Sequence, residues 1–293
     1  VIPTGRLCTQ PAVQNWPALG KANMREMVTC PPGHSLVGAD YAQLEARLYA
    51  VAANDELLLQ AIRDGKDIHS MNAAALMAKS LDELEYWYQR VEHGAGIEPS
   101  KRKEYRKYWR TVAKRFAFLE IYGGEEAKLF SVMSQQRDKV TGQLSFPKLK
   151  KDDVTLWHNN WHTLHPWTVW WHQQCAAFCE ENNYAQVRDI DFRKRFFLGG
   201  VSKKNAVPNM SIQGWAASIA NRALLRLAEA IPFRSLSPWT GVCLQVHDYL
   251  GVYVPTQYAE WAKNVVEECL YYEYGGVPFP AEGGISQRWS GQD

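Results

Sequence analysis

Residues 108–124 read "YWRTVAKRFAFLEIYGG", and Arg110, Lys114, Phe118 and Tyr122 fall at intervals of four. On a helix each step of four turns about 40° past a full circle, so these four side chains share one broad face. From Arg110 to Tyr122 that face spans roughly 18 Å, about the length of an extended nucleoside triphosphate. Cations at its N-terminal end suit an anion, which the helix dipole also favours there. Rings at its C-terminal end suit a sugar and a base. The competing reading is an ordinary amphipathic helix with solvated cations and core rings, and from this stretch alone that plainer reading is favoured.

Around this helix the pattern is mostly helical. A helix is expected from about Ser100 to Tyr122, stopped by Gly123 and Gly124. Before it, "HSLVGAD" reads as a short strand ending at Asp40, "QLEARLYAVAAN" as a helix closed by Asn54, and "DELLLQAIRDG" as a short helix stopped at Gly65. Residues 69–91 read as one helix and "HGAGIEPS" as a loop. After it, residues 134–151 read as a polar surface loop, and residues 152–183 as a helical hairpin bent at His165-Pro166. "IQGWAASIANRALLRLAEAI" is an amphipathic helix, "GVCLQVHDYLGVYVP" a β-hairpin and "AEWAKNVVEECLYY" a helix. Strands that are few and far apart among helices imply an α+β fold.

The chain has 293 residues, 46% apolar, enough for one large or two modest domains. A net charge of +2 does not by itself announce a nucleic-acid binder. No apolar run approaches the ~18 residues of a membrane span, and the opening "VIPTGRLCTQ" carries no signal-peptide core. Six cysteines (8, 30, 175, 179, 243 and 269) form no C-x-x-C, so reduced thiols and an intracellular setting are expected. Two aspartates are candidate metal ligands: Asp40 at the end of an apolar strand and Asp248 inside an apolar hairpin, where a charge is costly unless paired or bound to a cation. Brought together, they suit Mg²⁺. Either alone reads more simply as a turn residue.

Taken together, the segments resemble the DNA polymerase I family (family A). "TGRLCTQPAVQNWP" is similar to the family's T-G-R-L and P-x-L-Q-N-I-P, "DYAQLEAR" to D-Y-S-Q-I-E-L-R, and "KDIHS" to the D-I-H that follows. "RTVAKRFAFLEIYGG" matches R-x3-K-x3-F/Y-x3-Y-G, "NMSIQGWAASI" resembles N-x-x-x-Q-G-x-A-A-D-I, and "QVHDYLGVYV" resembles Q-V-H-D-E. The pieces run in family order from residue 4 to about 289, and their combination is specific.

The resemblance implies an antiparallel palm sheet with helices, in two parts at residues 1–68 and 201–293, and helical fingers over about 69–200. It implies template-directed DNA synthesis by nucleotidyl transfer from dNTP to a primer 3′-hydroxyl. Asp40 and Asp248, with the Tyr41 carbonyl, would carry two Mg²⁺ ions. Arg110, Lys114 and His69 would hold the triphosphate, with Lys114 as general acid toward pyrophosphate. Phe118 would pack near the sugar, Tyr122 at the base, and Gln43 and Glu45 would belong to the nucleotide site, Glu45 excluding a 2′-hydroxyl. Arg6, Gln14, Asn15, Asn209, Gln213 and His247 would face the primer-template. A bacterial or phage-infected cytoplasm, or an organelle, is the implied setting.

The pattern also departs from the family. Tyr249 stands where Glu is usual, Asn205 where Arg is frequent, and Ala12 where Asn is usual. Ala117, Leu119 and Glu120 replace small or apolar residues, and Glu120 is expected to point away from the nucleotide. The chain opens almost at T-G-R-L, so palm and fingers without a thumb are expected, as a fragment or as one half of a split polymerase. Partners would be a missing thumb or exonuclease segment, or an accessory subunit. Competing readings are a non-catalytic nucleic-acid-binding remnant and a metal-dependent nuclease. His158, His162, His165, His172, Cys175 and Cys179 have zinc-like residue types, but the resemblance sets them on an ordinary helical hairpin among five tryptophans, Trp157 to Trp171.

Overall fold

The structure, a computed structural model, describes residues 3–8, 16, 24–137, 143–197 and 206–289. The central sheet is built from strand β1 (His34–Tyr41), and helices follow at once: α1 (Leu44–Ala53), α2 (Glu56–Arg63), α3 (Ile68–Met77), α4 (Leu81–Glu92), α5 (Arg102–Ile121) and α6 (Glu126–Ser134). Helices α7 (Lys151–Leu164) and α8 (Trp167–Asn182) form the hairpin bent at His165-Pro166, and a small ribbon of β2 (Tyr184–Gln186) and β3 (Lys194–Phe196) follows. Helix α9 (Ala206–Asn209) runs through a π-helical turn (Met210–Gly214) into α10 (Trp215–Ala230), then α11 (Phe233–Leu236). The chain closes with β4 (Gly241–Val246), β5 (Tyr249–Pro255), α12 (Ala259–Leu270), β6 (Tyr272–Tyr274), β7 (Val277–Phe279) and β8 (Ala281–Ser286).

Four strands pair in the order β4-β5-β1-β8, and every pairing is antiparallel. β1 is central, with Val37 opposite Val252 and Ile285. Alternation sends Val37, Ala39 and Tyr41 into the large core, while Leu36 joins Val246 and Trp289 on the other face. Asp40, two residues along from Gly38 and four from Leu36, belongs to that second face. It is exposed there, paired with Glu282 of β8 just beyond the last β1–β5 pair, Ala39 with Leu250.

Helix α5 shows why its sequence reads two ways. Val112, Ala113, Phe116, Ala117, Glu120 and Ile121 are buried. Of these, Val112, Ala113, Phe116 and Ala117 pack with Ala73, Leu76, Trp157 and Trp161 of α3 and α7. Burial of the Phe116 ring contributes about 1.5–3 kcal/mol. Phe118 and Tyr122 are not in this interior set; the core ring is Phe116.

A buried pair fixes the layers: His165 Nδ1 lies 2.7 Å from Asp55 Oδ2, with both side chains fully buried. The other Asp55 oxygen accepts from the Leu58 amide and caps α2. The bend between α7 and α8 is thereby tied to the start of α2.

The expected helix over 69–91 is two helices. It breaks at Ala78, whose backbone is extended (φ −76°, ψ 137°), and restarts after Ser80. Helix α6, the β2–β3 ribbon and strand β8 are additional elements. No described helix is long and apolar enough to cross a membrane.

Candidate active site

The first positioned element is the T-G-R-L segment. Arg193 donates to the Thr4 carbonyl (3.1 Å), the Gly214 carbonyl (2.8 Å) and the Ser218 hydroxyl (2.7 Å). Gly5, at φ +84°, lies so close that a Cβ there would overlap the Arg193 guanidinium. Only glycine fits both the left-handed backbone and this approach. The next residue, Arg6, is thus delivered to Glu45 at the start of α1, with which it makes an ion pair.

Glu45 is shared. One carboxylate oxygen pairs with Arg6, and the other accepts from the Tyr122 hydroxyl at the C-terminal end of α5. Burial and the neighbouring Glu45 charge push the Tyr122 phenol far up, so it remains a donor; Gln213, from the π-helical turn, bonds the same hydroxyl. Arg6 and Glu45 in turn act electrostatically on His247, whose imidazole is held below its ordinary value by burial first and then by Arg6. Tyr122, Glu45, Arg6 and Gln213 therefore form one network, and its charges reach His247.

His247 and Asp248 are the two-residue turn between β4 and β5, since Val246 pairs with Tyr249. His247 sits at φ 59°, a left-handed value uncommon for a residue with a side chain. The turn carries Asp248 to Asp40: both line a cleft of about 340 Å³ together with Arg25, His247, Tyr249, Glu282 and Trp289. Asp40 lies directly across from Glu282 on β8. The Tyr41 side chain is buried behind the cleft, and burial, opposed by the Arg226 cation and reinforced by Asp248, raises its phenol well above the usual range. The Tyr249 ring lies back over the sheet: a Cβ at Gly38 would overlap its phenol, and Gly251 is within van der Waals reach.

About three turns from Tyr122 toward the N-terminus of α5, Arg110 makes a two-pronged pair with Asp67, Nε to Oδ1 at 2.9 Å and Nη2 to Oδ2 at 2.6 Å. Gln43 also donates to Asp67 (3.0 Å), and Asp67 caps α3 through the Ser70 amide (2.7 Å). Burial alone would raise the Asp67 carboxyl, but the Arg110 and Ser70 bonds bring it down to about 2. The unfolded value is 3.8, so this carboxylate's stabilisation is complete above pH 3.8 and is lost as pH falls through about 2. The shift is worth about 2 kcal/mol. Asp67→Asn is expected to flatten the acid limb of the stability curve between pH 4 and 2, read by chemical denaturation across that range.

His69 is buried beside α5, where its burial and the cations Lys114 and Arg110 hold it at about 4. At neutral pH it offers an uncharged N–H. Its ring meets Phe118 edge-on at 6.5 Å, and Phe118 stacks on Tyr122 at 6.3 Å and 11°. Lys114 is exposed on the same helix face.

Of the residues expected in a site, Asp40, Asp248 and His247 share one cleft, and Glu45, Tyr122, Arg6 and Gln213 share one network. Gln43 and Arg110 meet on Asp67. Asn209 is half-buried on α9. Gln14, Asn15, Ala12 and Asn205 lie outside the described residues. Sequence reasoning missed Asp67, Glu282 and Arg25; Asp67 stood in the quoted "KDIHS", next to a residue already chosen. Of the zinc-like set, His165 goes to Asp55, His172 to the Ile121 carbonyl (2.8 Å) and Cys175 to Ser211. His158 and His162 turn instead to Glu120, which points into α7 and away from the Arg110–Tyr122 face.

A mixed fold of this kind is that of a polymerase domain. The structure superposes on the POL domain of Pol1 from M. smegmatis, solved in complex with DNA primer-template and dNTP, with a TM-score of 0.77 at 22% identity, over 99% of this chain and 47% of that one. The profile of DNA polymerase family A matches residues 1–291, and the chain belongs to that family. Among curated relatives, the mitochondrial DNA polymerase I B of Oryza sativa is 29% identical over 94% of this chain and 26% of its own length. The thermostable DNA polymerase I of Thermus filiformis is 28% identical over 98% and 31%. The chain thus spans about a quarter to a third of these relatives.

Proposed function

We propose that this chain is the catalytic portion of a template-directed DNA polymerase, transferring dNMP from dNTP to a primer 3′-hydroxyl. On this reading residues 1–68 and 201–293 are palm and 69–200 are fingers. The observation that carries it is the meeting of Asp40 and Asp248 in one cleft with His247, whose imidazole feels the charges of Arg6 and of Glu45, the partner of Tyr122 at the aromatic end of α5. Family membership supports it.

The cleft's carboxylates, Asp40, Asp248 and Glu282, are hard oxygen donors, beside the His247 imidazole and the Arg25 cation, and the Tyr41 carbonyl, next in sequence to Asp40, would add another oxygen. That set fits Mg²⁺. Two such ions, when bound, supply an activated primer hydroxyl and charge neutralisation at the departing pyrophosphate. The chain's own groups do the rest. Arg110 exchanges Asp67 for the triphosphate, beside Lys114 and the neutral N–H of His69. Lys114, exposed on that face, gives a proton to pyrophosphate as general acid. Phe118 packs on the sugar, and Glu45, pinned by Arg6 and Tyr122, closes the space under C2′ against a ribose. Arg6, Asn209, Gln213 and His247 face the minor groove of the primer end. Acceptors recur there at the same places in every correct pair, so donors test geometry without reading sequence.

Primer extension with and without dNTP tests the reading. Elongation that requires dNTP is expected; shortening without dNTP would indicate a nuclease, and binding without either a non-catalytic remnant. Glu45→Ala is expected to raise the kcat/KM ratio of rNTP to dNTP, while slowing dNTP use because Tyr122 and Arg6 lose their shared partner. An unchanged ratio would place the sugar gate elsewhere.

A further inference from the structure

We propose that Glu120, His158 and His162 form a binding site for a transition-metal dication of the Zn²⁺ class, cross-linking the back of α5 to α7. The three side chains come from two helices and lie outside the nucleotide face. Glu120 is 2% exposed, and a carboxylate so placed is costly without a compensating charge. Two imidazoles meet it: His158 Nδ1 is 2.7 Å from Oε1, and His162 Nε2 is 3.3 Å from Oε2.

The two histidines are four residues apart on α7, which puts both on one helix face. Their rings lie 4.4 Å apart. One ligand atom from each of the three residues falls within 4.8 Å of the others. Two imidazoles and one carboxylate are the donor set that zinc takes when it keeps a fourth, open position. Mg²⁺ and Ca²⁺ prefer oxygen throughout. Both histidines are only half-buried, which leaves an entry path for the ion and a water. Glu126, at the start of α6, adds negative charge near His158 while accepting from Thr155.

The site has a structural logic. Glu120 stands where the family pattern has a small or apolar residue, so it replaces packing with a ligand. It lies two residues from both Phe118 and Tyr122. A metal there would anchor the C-terminal half of α5 from behind, and act on nucleotide selection only as a positioning site. His165, His172 and Cys175 are engaged elsewhere and Cys179 is buried in the apolar core, so none of them is part of it.

The test uses chelator-washed protein dialysed against Zn²⁺ in excess Mg²⁺, which occupies the oxygen-lined cleft. One retained zinc equivalent is expected, together with a zinc-dependent rise in Tm. His158→Ala and His162→Ala should each weaken retention about ten-fold or more, and the double variant should abolish it. Asp40→Asn should leave it unchanged. His162→Cys keeps a ligand and checks against misfolding: with Co²⁺ it should show a thiolate charge-transfer band that the wild type lacks. No retained zinc in the wild type, equal affinity in the double variant, or no such band in folded His162→Cys would each overturn the proposal.

Discussion

Asp40→Asn and Asp248→Asn should each lower single-turnover nucleotide addition by on the order of 10³-fold or more while leaving primer-template affinity nearly intact. Several kcal/mol of transition-state stabilisation rest on each carboxylate in a two-ion scheme, and 1.36 kcal/mol is one decade of rate. Interactions made only in the transition state change kcat rather than binding. Neither substitution threatens the fold. Asp40 is exposed at the end of β1, and Asp248 is half-buried in a hairpin turn; asparagine keeps the shape of both. Rapid-quench extension beside an equilibrium binding titration gives both quantities. Near-normal chemistry in either variant would remove that aspartate from the site.

Phe118→Tyr should improve the use of dideoxynucleotides relative to dNTPs by roughly ten- to a hundred-fold. A dideoxynucleotide lacks the 3′-hydroxyl that helps satisfy the triphosphate's own hydrogen bonding. The wild-type ring has no hydroxyl to replace it. One recovered bond to a charged group is worth about 1.5–3 kcal/mol, and 1.4 kcal/mol is a factor of ten. The ring has a defined seat, stacked on Tyr122 and edge-on to His69, so the new hydroxyl would be held in one direction. Normal dNTP use should barely change. Competition of ddNTP against dNTP in both proteins yields the ratio. If it does not move, Phe118 does not face the sugar, and the assignment of the whole Arg110–Tyr122 face falls with it.

Much of this site was legible because its residues sit in patterns that local physics enforces. The four-residue steps of α5 and the apolar run that carries β1 as far as Asp40, one residue short of its end, need no tertiary information. What was illegible depends on partners. Strand β8 reads "AEGGIS", and glycine weakens a strand on its own; only pairing with β1 makes it one. The break at Ala78–Ser80 has no Gly or Pro to mark it, and Ser80, though a frequent N-cap residue, makes no side-chain cap bond there. The opening helix was also ambiguous about which ring is core. Phe116 and Phe118 are two residues, about 200°, apart on the helix, and only the packing of Trp157 and Trp161 on Phe116 decides between them. Asp67 was passed over because its role as seat for Arg110 appears only when α3 and α5 lie side by side.

The ring of Tyr249 resting on Gly38 constrains how such a chain can change over generations. With any side chain at position 38 the phenol would have to leave this seat. Tyrosine at 249 and glycine at 38 are therefore coupled: exchanging Gly38 alone would displace a ring that forms part of the wall around Asp40 and Asp248.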